Sequence, residues 1–558
     1  MKYTLLLILM FSLIIHVNAQ QPVSGIYAVY FTDKGDGNSS VINPEAYLSP
    51  RAIERRLKQH LIFDQTDIPV NAAYVNSVSE KGAKIICRSR WFNFIVMSAG
   101  ADIVTQIEAL PCVSKLQLIK AQTKQLSGAS TEKTYFLNES VSPWAWKNAE
   151  QNTSDLYNYG AALNQINQIK GQGLHNSGFA GQGKTIAVID AGFNSVDIMP
   201  CFDQLRAGNQ ILGTRDFAVP GNNVYATSMN SHGTKVLSCM AANVSGQMVG
   251  TAPGADYWLL RSEVAESESV IEEYYWLSAA EFADSVGADL INSSLGYTTF
   301  DDAGTNHTYA NMDGNTTVIT RAADKAAAKG ILVVNSAGNS GGAGWWYIGA
   351  PADADSVFTI GAVDASGKRA SFSSVGPTYE RRIKPTVAAQ GQSAAVYGPS
   401  GLATAYGTSF SSPIICGMTA CLWQAWPDLT NMQIIDVIKA TASQASSPDS
   451  LLGWGIPDYS QAVLLPTKIH TAKSEAFTVY PNPVADHLTI VLPTQVSAKF
   501  EVAICDLQGR KIKTYQGEAN GQKVIQLNEL GFLFPGIYMI RITDEFTSYT
   551  QKIIRIQD

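Results

Sequence analysis

Residues 185–190 read TIAVID, an unbroken apolar and β-branched run that ends in a carboxylate. Such a run is typical of a parallel strand that is buried on both of its faces. Open α/β sheets place their sites at the carboxyl ends of their strands, so Asp190 is expected at that edge. The sequence therefore predicts an α/β fold whose central strand delivers Asp190 to a cleft.

Two polar turns further along the chain are each followed by an apolar stretch. His232 lies in the sequence SHGT before residues 234–242, and Ser409 lies in GTSFSSP before residues 414–423. Both stretches are predicted to be buried helices, which places His232 and Ser409 at helix N-termini. Taken singly, an Asp, His or Ser in such a position is usually a cap or a turn former.

Together the three residues have the composition of a hydrolytic site. A serine hydroxyl is a poor nucleophile near neutral pH unless a histidine takes its proton and a carboxylate orients that histidine. The chain supplies the three types in the order Asp190, His232, Ser409. Asn339 follows a predicted strand at 330–334 and three small residues, although an Asn after a Gly is, in isolation, usually a turn residue.

Residues 160–465 resemble the catalytic domain of the subtilisin-like serine proteases, the subtilases. The likeness extends beyond the three residues to further segments in the family's order: GTAPGA at 250–255, INSSLG at 291–296, SAGN at 336–339 and ASFSSVGP at 370–377. It implies a doubly wound, mostly parallel sheet of the subtilisin type. It also implies that Ser409 is the nucleophile, His232 the general base and acid, Asp190 the orienting group and Asn339 an oxyanion donor.

The resemblance also implies a pocket for the substrate side chain that precedes the cleaved bond. Its lining residues are small or uncharged: Ser294, Leu295 and Gly296 on one side, Ser336, Ala337 and Gly338 on the other, and Gly349 as the floor. This lining predicts a preference for large apolar side chains. Trp345 and Trp346, in the loop before Gly349, could fold over the pocket and narrow it.

Two departures from the family pattern bear on the site. Relatives usually carry Ser or Thr after the catalytic Asp, whereas this chain has Ala191, so one supporting hydrogen bond is expected to be missing. The segment 243–250 lacks the asparagine-rich form of a calcium-binding loop. Asp353 and Asp355 could hold calcium, but we interpret them as exposed loop carboxylates. The chemistry is predicted to need no cofactor or metal.

Composition and the first residues indicate where the chain acts. Residues 1–19 combine a basic start, a short apolar core and a small residue at a cleavage position, which predicts a secretory signal peptide. No later stretch approaches the length of a membrane-spanning helix.

The net charge of −7 and 16% charged residues give no basic field for nucleic acid. The seven cysteines support no disulfide assignment, and we expect a monomer.

Residues 20–125 alternate strand-like and helix-like patterns and predict a small α+β domain. We expect strands at 27–31, 84–87, 92–97 and 115–119 and helices at 44–60 and 101–110. The domain resembles the N-terminal propeptide of secreted subtilases, a folding aid and inhibitor; a permanent accessory domain is the alternative. Residues 126–159, polar and rich in Ser, Thr and Asn, are the predicted processing region.

After a linker at 466–475, residues 476–558 show alternating strands separated by Asn, Gly and Pro turns. This pattern predicts a small β-sandwich. The segment resembles the C-terminal sorting domain of the type IX secretion system, with a carbohydrate-binding or adhesive module as the alternative. The resemblance implies a secreted or outer-membrane surface protein whose partners include that secretion machinery.

Two classes of function follow from these patterns. The first is a secreted serine endopeptidase that acts on proteins or peptides. The second is a surface-binding or adhesion protein built on the same fold without activity, because a fold alone does not fix function. The presence of Asp190, His232, Asn339 and Ser409 together favours the endopeptidase.

Overall fold

The computed structural model describes the chain in separate ranges, which are residues 23–35, 43–121, 155–465, 478–491, 499–506, 511–518, 524–528, 530–544 and 548–556. The predicted signal peptide, residues 126–154 of the predicted processing region and the linker at 466–475 lie outside the described residues. Contacts divide the chain into two units, 1–463 and 464–558.

The N-terminal domain is a four-stranded antiparallel sheet with three α-helices, which confirms the predicted α+β domain. The strands run in the order β2-β3-β1-β4. The elements are β1 (Gly25–Phe31), α1 (Pro50–Lys58), α2 (Ala72–Ser79), β2 (Lys84–Ser89), β3 (Phe94–Ala99), α3 (Ala101–Glu108) and β4 (Val113–Ala121).

The helix predicted over 44–60 is shorter than expected. A separate 3-10 turn covers Pro44–Ala46, and α1 begins only at Pro50. Ser49 caps α1, since its side chain accepts a hydrogen bond from the backbone N–H of Ala52. Proline is well suited to the first helical position, because its fixed φ fits and its missing N–H is not needed there. The Ser-Pro pair therefore sets the start of α1.

The second domain contains the remaining elements of the first unit. They are α4 (Leu163–Gln168), α5 (Gln172–Asn176), β5 (Thr185–Asp190), α6 (Asp203–Ala207), β6 (Ile211–Asp216), α7 (His232–Ala241), β7 (Asn243–Val244), β8 (Met248–Val249), β9 (Asp256–Arg261), α8 (Ile271–Val286), β10 (Leu290–Ser293), α9 (Val318–Ala328), β11 (Leu332–Ser336), β12 (Phe358–Val363), β13 (Val387–Gln390), β14 (Ala394–Gly398), β15 (Gly401–Ala405), α10 (Thr408–Ala425), α11 (Asn431–Thr441) and α12 (Tyr459–Ala462).

Seven parallel strands form the central sheet of this domain, in the order β13-β12-β11-β10-β5-β9-β6. All six residues of β5 are buried, as expected for a strand covered on both faces. Strands β9 and β10 follow one another along the chain but lie on opposite sides of β5. Such a reversal of strand order opens a crevice at the carboxyl ends of the strands, where β5 delivers Asp190.

Helices cover both faces of the sheet. Ile291 of β10 lies in the apolar core with α8 and α9, and Ser293 accepts a hydrogen bond from the indole N–H of Trp276 in α8. Asn292, between them, accepts one at 3.1 Å from the hydroxyl of Ser412 in α10. Side chains alternate between the faces of a strand, so α8 and α9 lie on one face and α10 lies on the other.

Residues 155–159, assigned above to the processing region, pack against this domain. Tyr159 is fully buried and its hydroxyl bonds Nδ1 of His175 at 2.9 Å. The backbone of Gly160 pairs with Met248, and the N–H of Ala161 donates to the carbonyl of Gln247 at 2.8 Å. The segment is therefore part of the folded second domain.

The second unit is all β, as predicted. Three strands form one sheet in the order β16-β17-β20, and four form another in the order β19-β18-β21-β22. Apolar side chains of both sheets share one core, which makes the unit a sandwich. Its strands are β16 (Thr478–Tyr480), β17 (Leu488–Val491), β18 (Lys499–Cys505), β19 (Lys511–Glu518), β20 (Val524–Leu527), β21 (Gly536–Asp544) and β22 (Ser548–Arg555).

Two further observations concern the described residues as a whole. No helix among them has both the length and the apolar character needed to cross a bilayer. All seven cysteines lie in described ranges and each is a free thiol.

Candidate active site

Asp190 lies at the carboxyl end of β5 with its side chain fully buried. Its Oδ1 accepts hydrogen bonds from Nδ1 of His232 at 2.8 Å and from the backbone N–H of Ala191 at 2.7 Å. Its Oδ2 has no hydrogen-bond partner among the described residues. A hydroxyl at position 191 is absent, so the sequence-based expectation of a missing supporting bond agrees with this geometry.

His232 is the first residue of α7 and is 2% exposed. Its backbone N–H donates to Oδ1 of Asn230 at 2.7 Å, which fixes the start of the helix. A carboxylate can only accept a hydrogen bond, so Nδ1 must carry the proton that faces Asp190. In the neutral ring Nε2 then carries the lone pair that can accept a proton.

Ser409 is the second residue of α10, and α10 packs against α7. Gly407, just before the helix, has φ of +154°, a value that side chains disfavour. The Ser409 hydroxyl donates to the carbonyl of Ser294 at 3.4 Å, while the Ser294 hydroxyl donates to the carbonyl of Ser409 at 2.9 Å. This exchange ties the start of α10 to the segment after β10.

Asn339 presents its amide toward the same turn. Oδ1 accepts hydrogen bonds from the N–H and the hydroxyl of Thr408, each at 2.9 Å. Because the backbone N–H can only donate, the atom that faces it must be Oδ1 and the Nδ2 donor must face elsewhere. Nδ2 lies 3.4 Å from the point where a Cβ would stand on Gly407. The Nδ2 donor of Asn339 thus lies beside the backbone of Gly407, two residues before Ser409.

The two walls of the predicted pocket follow neighbouring parallel strands. Ser294–Gly296 comes after β10, and Ser336–Gly338 closes β11 and continues beyond it. The Asn335 side chain donates to the carbonyl of Leu295 at 3.1 Å, which joins the walls. A Cβ on Gly349 would stand 3.0 Å from Cγ2 of Thr298, so this position has little room for a side chain.

The two tryptophans before Gly349 are held by different contacts. The indole of Trp345 donates to the carbonyl of Ile348 at 3.1 Å and packs against the core around α8 and α9. Trp346 is 42% exposed, and the Arg369 guanidinium lies 5.6 Å from the centre of its ring. Both side chains therefore have packing partners outside the predicted pocket.

The interpretation of Asp353 as an exposed carboxylate is wrong. Asp353 is fully buried and accepts hydrogen bonds from the hydroxyl of Thr320 at 2.6 Å and the N–H of Gly314 at 2.9 Å. Burial raises its pKa to about 6. Asp355 is exposed, as expected, and pairs with Arg382 at 2.8 Å. The acceptors considered for calcium are thus engaged by protein donors.

Another carboxylate group has a spacing that suits a metal ion. Glu263, Glu268 and Glu272 present oxygens within 4.8 Å of one another. Glu272 accepts from the backbone N–H groups of Val264 and Ser269, so it also closes the turn before α8. These three glutamates were not among the site residues predicted from the sequence.

Other contributors to the site were also missed. Thr408 orients Asn339, the carbonyl of Ser294 holds the Ser409 hydroxyl, and the Phe410 ring lies 5.8 Å from the His232 ring between centres. Thr408 and Phe410 flank Ser409 in sequence, and this adjacency alone could have indicated that they belong to the site. Their partners are distant along the chain, so pattern alone does not reveal these contacts.

Three family models match the chain. The model described as the subtilase family matches residues 181–455, that of the Bacteroidota peptidase S8 propeptide domain matches 26–135, and that of the secretion system C-terminal sorting domain matches 478–557. The N-terminal domain is therefore a propeptide domain of this family. The sorting domain indicates a secreted or cell-surface protein.

Characterised relatives are similar to about half of the chain. Subtilisin NAT of Bacillus subtilis subsp. natto is 33% identical over 50% of this chain and 65% of its own length. Subtilisin DY of Bacillus licheniformis is 34% identical over 51% of this chain and 91% of its own length. The chain belongs to the subtilase family.

One solved structure, MycP1 from the ESX-1 type VII secretion system, has a TM-score of 0.43 and 23% identity over 56% of this chain and 88% of that chain. The chain spans less than two thirds of the length of Subtilisin NAT, since the match covers 65% of that protein.

Proposed function

We propose that this chain is a secreted serine endopeptidase that hydrolyses proteins or peptides through an acyl-enzyme. One observation carries the proposal: Nδ1 of His232 donates to the buried Asp190 carboxylate at 2.8 Å, and the helix of His232 packs against α10, which carries Ser409 in its first turn. The carboxylate holds the imidazole in the tautomer whose Nε2 can accept a proton. His232 is therefore oriented as a general base at the start of α7, which packs against α10, the helix that carries the Ser409 hydroxyl.

Each side chain of the site has one role in the first half of the reaction. Ser409 Oγ attacks the carbonyl carbon of the peptide bond while His232 Nε2 takes the hydroxyl proton. Negative charge develops on the carbonyl oxygen, and Asn339 Nδ2 and the backbone N–H of Ser409 donate hydrogen bonds to it. The first turn of α10 favours this charge, because its N–H groups lack acceptors within the helix.

The second half reuses the same groups. His232 gives its proton to the departing amine, and the acyl group remains on Ser409 Oγ. Water then attacks the ester carbon with His232 as base, and the acid product leaves with Ser409 protonated again. Asp190 stabilises the imidazolium in both halves. The chemistry uses protein groups alone, so no cofactor is assigned.

The pocket formed by Ser294–Gly296, Ser336–Gly338 and Gly349 is assigned to the side chain before the cleaved bond. None of these residues carries a charge that could pair with a buried ammonium or guanidinium group. An apolar side chain gains from burial in such a pocket, whereas an unpaired buried cation is costly. The substrate class we assign is therefore protein with large apolar residues at that position.

The two terminal domains are assigned to the maturation and the secretion of the enzyme. The propeptide domain is made with the enzyme, and a cut between residues 122 and 154 is the proposed maturation step. The sorting domain at the C-terminus is assigned to recognition by the type IX secretion machinery. The second domain is assigned to act as a monomer.

The test is casein hydrolysis by full-length protein together with N-terminal sequencing of the product. Ser409→Ala should abolish hydrolysis and leave the 122–154 connection uncut. Ser411→Ala is the matched control, because this buried hydroxyl of the same helix donates to the Thr408 carbonyl instead. Equal hydrolysis by Ser409→Ala and Ser411→Ala would refute the proposal and favour the inactive binding protein or another nucleophile.

A further inference from the structure

The carboxylate of Asp190 is oriented partly by the backbone that follows it. Among the described residues, its Oδ1 accepts from Nδ1 of His232 and from the N–H of Ala191 at 2.7 Å, and its Oδ2 has no partner. The side chain of Ala191 is a methyl group, so it offers no further donor to the carboxylate. The direction of the carboxylate therefore depends on how firmly the backbone around Ala191 is held.

Two groups at the end of β9 hold this backbone. The N–H of Ser262 donates to the carbonyl of Asp190 at 3.1 Å, which fixes the peptide unit that contains the Ala191 N–H. The Nε–H of Arg261, the last residue of β9, donates to the carbonyl of Ala191 at 3.0 Å, which fixes the next peptide unit. One peptide unit of Ala191 is thus held by the main chain and the other by the side chain of Arg261.

Arg261 is itself held by a buried ion pair. The register of the neighbouring strands β5, β9 and β6 places Asp190, Arg261 and Asp216 side by side at their carboxyl ends. Arg261 and Asp216 are both buried, and Nη1 of Arg261 donates to Oδ2 of Asp216 at 2.7 Å. A guanidinium group is planar, so the bond at Nη1 also limits the direction in which the Nε–H points.

Asp216 is fixed in turn by the start of the segment that follows β6. Its Oδ1 accepts from the N–H groups of Ala218 at 2.9 Å and Val219 at 2.8 Å. Both carboxylate oxygens of Asp216 are therefore engaged, one by the backbone and one by Arg261. A continuous chain of hydrogen bonds leads from this turn through Arg261 to the backbone of Ala191.

We propose that Arg261 is a positioning residue of the active site, which keeps the Ala191 N–H directed at the Asp190 carboxylate. The proposal rests on the proposed function, since it concerns how Asp190 orients His232. Without the Nε bond the backbone of Ala191 relaxes, the carboxylate turns more freely, and His232 is less often aligned to take the Ser409 proton. The loss acts on the chemical step and not on substrate contacts, so kcat falls while KM stays nearly the same.

Two substitutions of Arg261 separate the Nε bond from the charge. Lysine keeps a cation for Asp216 but has a methylene group where arginine carries Nε, so Arg261→Lys removes the bond to Ala191. Glutamine brings no charge to Asp216, but its amide nitrogen reaches the position of Nε, so Arg261→Gln retains a donor for Ala191. A role in the ion pair alone predicts that Lys is the better substitute, whereas a positioning role predicts that Gln is.

The test measures kcat and KM on a chromogenic peptide. Each full-length protein carries a recognition sequence for an unrelated protease between residues 122 and 154, so that maturation does not depend on its own activity. Active enzyme is counted by titration with a fluorophosphonate. Arg215→Gln is the control, since Arg215 is exposed near the end of β6 and lies over the ring of Phe217.

Arg261→Lys should lower kcat by about 10- to 100-fold, the worth of one charge-assisted hydrogen bond, with KM within about twofold of the unsubstituted value. Arg261→Gln should lower kcat by no more than about threefold, although its Tm should fall because Asp216 loses its cation. Arg215→Gln should match the unsubstituted protein. The proposal is overturned if Arg261→Lys keeps the kcat of Arg215→Gln, or if Arg261→Gln loses more kcat than Arg261→Lys.

A hydroxyl introduced at position 191 gives a second test. Ala191→Ser supplies a donor for the Asp190 carboxylate that does not depend on Arg261. In the Ala191→Ser protein, Arg261→Lys should therefore lower kcat by less than about threefold, which is a coupling between the two positions. An equal loss with Ala and with Ser at position 191 would overturn the proposal, because a hydroxyl does not repair general structural damage.

These outcomes also separate the positioning role from the proposed function. If the unsubstituted protein does not hydrolyse the peptide, the proposed function fails and the positioning role fails with it. If the unsubstituted protein is active and Arg261→Lys is equally active, only the positioning role is refuted. If Arg261→Gln does not fold, Arg261→Lys and its comparison at position 191 still decide the question, because lysine keeps the charge that faces Asp216.

Discussion

Oδ1 of Asn339 accepts two hydrogen bonds from Thr408, one from its backbone N–H and one from its hydroxyl, each at 2.9 Å. Thr408 immediately precedes Ser409, so the residue beside the proposed nucleophile also sets the orientation of the Asn339 amide. The Nδ2 donor is fixed before any substrate arrives. Such preorganisation is what makes oxyanion donors effective in a site that excludes water.

Asn339→Ala should lower kcat by about 10²–10³ with little change in KM. The reason is that the Nδ2 bond strengthens only as charge develops on the carbonyl oxygen in the transition state. Steady-state kinetics on a chromogenic peptide would measure it, with circular dichroism as a check of folding. An unchanged kcat would show that Asn339 does not donate to the oxyanion.

Thr408→Val should lower kcat by about tenfold, the worth of one neutral hydrogen bond. The substitution removes the hydroxyl that donates to Asn339 and accepts from the N–H of Gly338 at 3.1 Å. Thr408→Ser keeps the hydroxyl and should restore most of the rate with the same KM. If Ser and Val at this position behave alike, Thr408 does not position the amide.

His175 should make the second domain less stable in mild acid. Its Nε2 donates to the Thr251 carbonyl at 3.0 Å, so Nδ1 accepts from the Tyr159 hydroxyl at 2.9 Å. Burial lowers the pKa of His175 from its ordinary 6.5. The unfolded chain therefore binds the proton first, and stability is lost as the pH falls below about 6.5.

Thermal unfolding of the Ser409→Ala protein between pH 5 and pH 8 measures this effect. His175→Gln removes the titrating group while keeping a donor and an acceptor, so the fall in Tm toward pH 5 should be smaller in the double variant. Other groups that titrate, such as Asp353, are common to both proteins. Parallel Tm curves for the two proteins would exclude His175 as the cause.

A peptide-library profile should show cleavage after large apolar residues, with modest selectivity among them. Burial gains about 25 cal/mol per Å² of apolar surface, and one methylene changes discrimination by only about 1–3 kcal/mol. A profile dominated by Lys or Arg would contradict the assignment of the uncharged pocket. Dominance of Gly or Ala would indicate that Trp345 or Trp346 narrows it.

The fold was predictable where the chain carries local signals. The buried strand at 185–190 and the polar turns before α7 and α10 placed Asp190, His232 and Ser409 correctly at a strand end and two helix starts. The start of α1 was misplaced although Ser49 and Pro50 carry the signal for it. A Ser N-cap followed by Pro at the first helical position marks this boundary in the sequence.

Contacts between distant segments were not predictable in the same way. Asp353 has the loop surroundings of an exposed acid, and its burial depends on Thr320 and Gly314 closing over it. Arg55, Arg56 and Arg90 of the propeptide domain all donate to Asp284 in α8, about 200 positions further along the chain. No periodicity or spacing in one sequence encodes such pairings, since they arise from how domains pack.

The central claim is that Ser409 is a nucleophile activated by His232 and Asp190. A fluorophosphonate probe bonds covalently to such a serine, and mass spectrometry of the digested protein locates the adduct. We predict one adduct on Ser409 in the matured protein and none in Ser409→Ala, with labelling strongly slowed in His232→Ala. Absence of labelling in matured protein, or an adduct on another serine, would contradict the account.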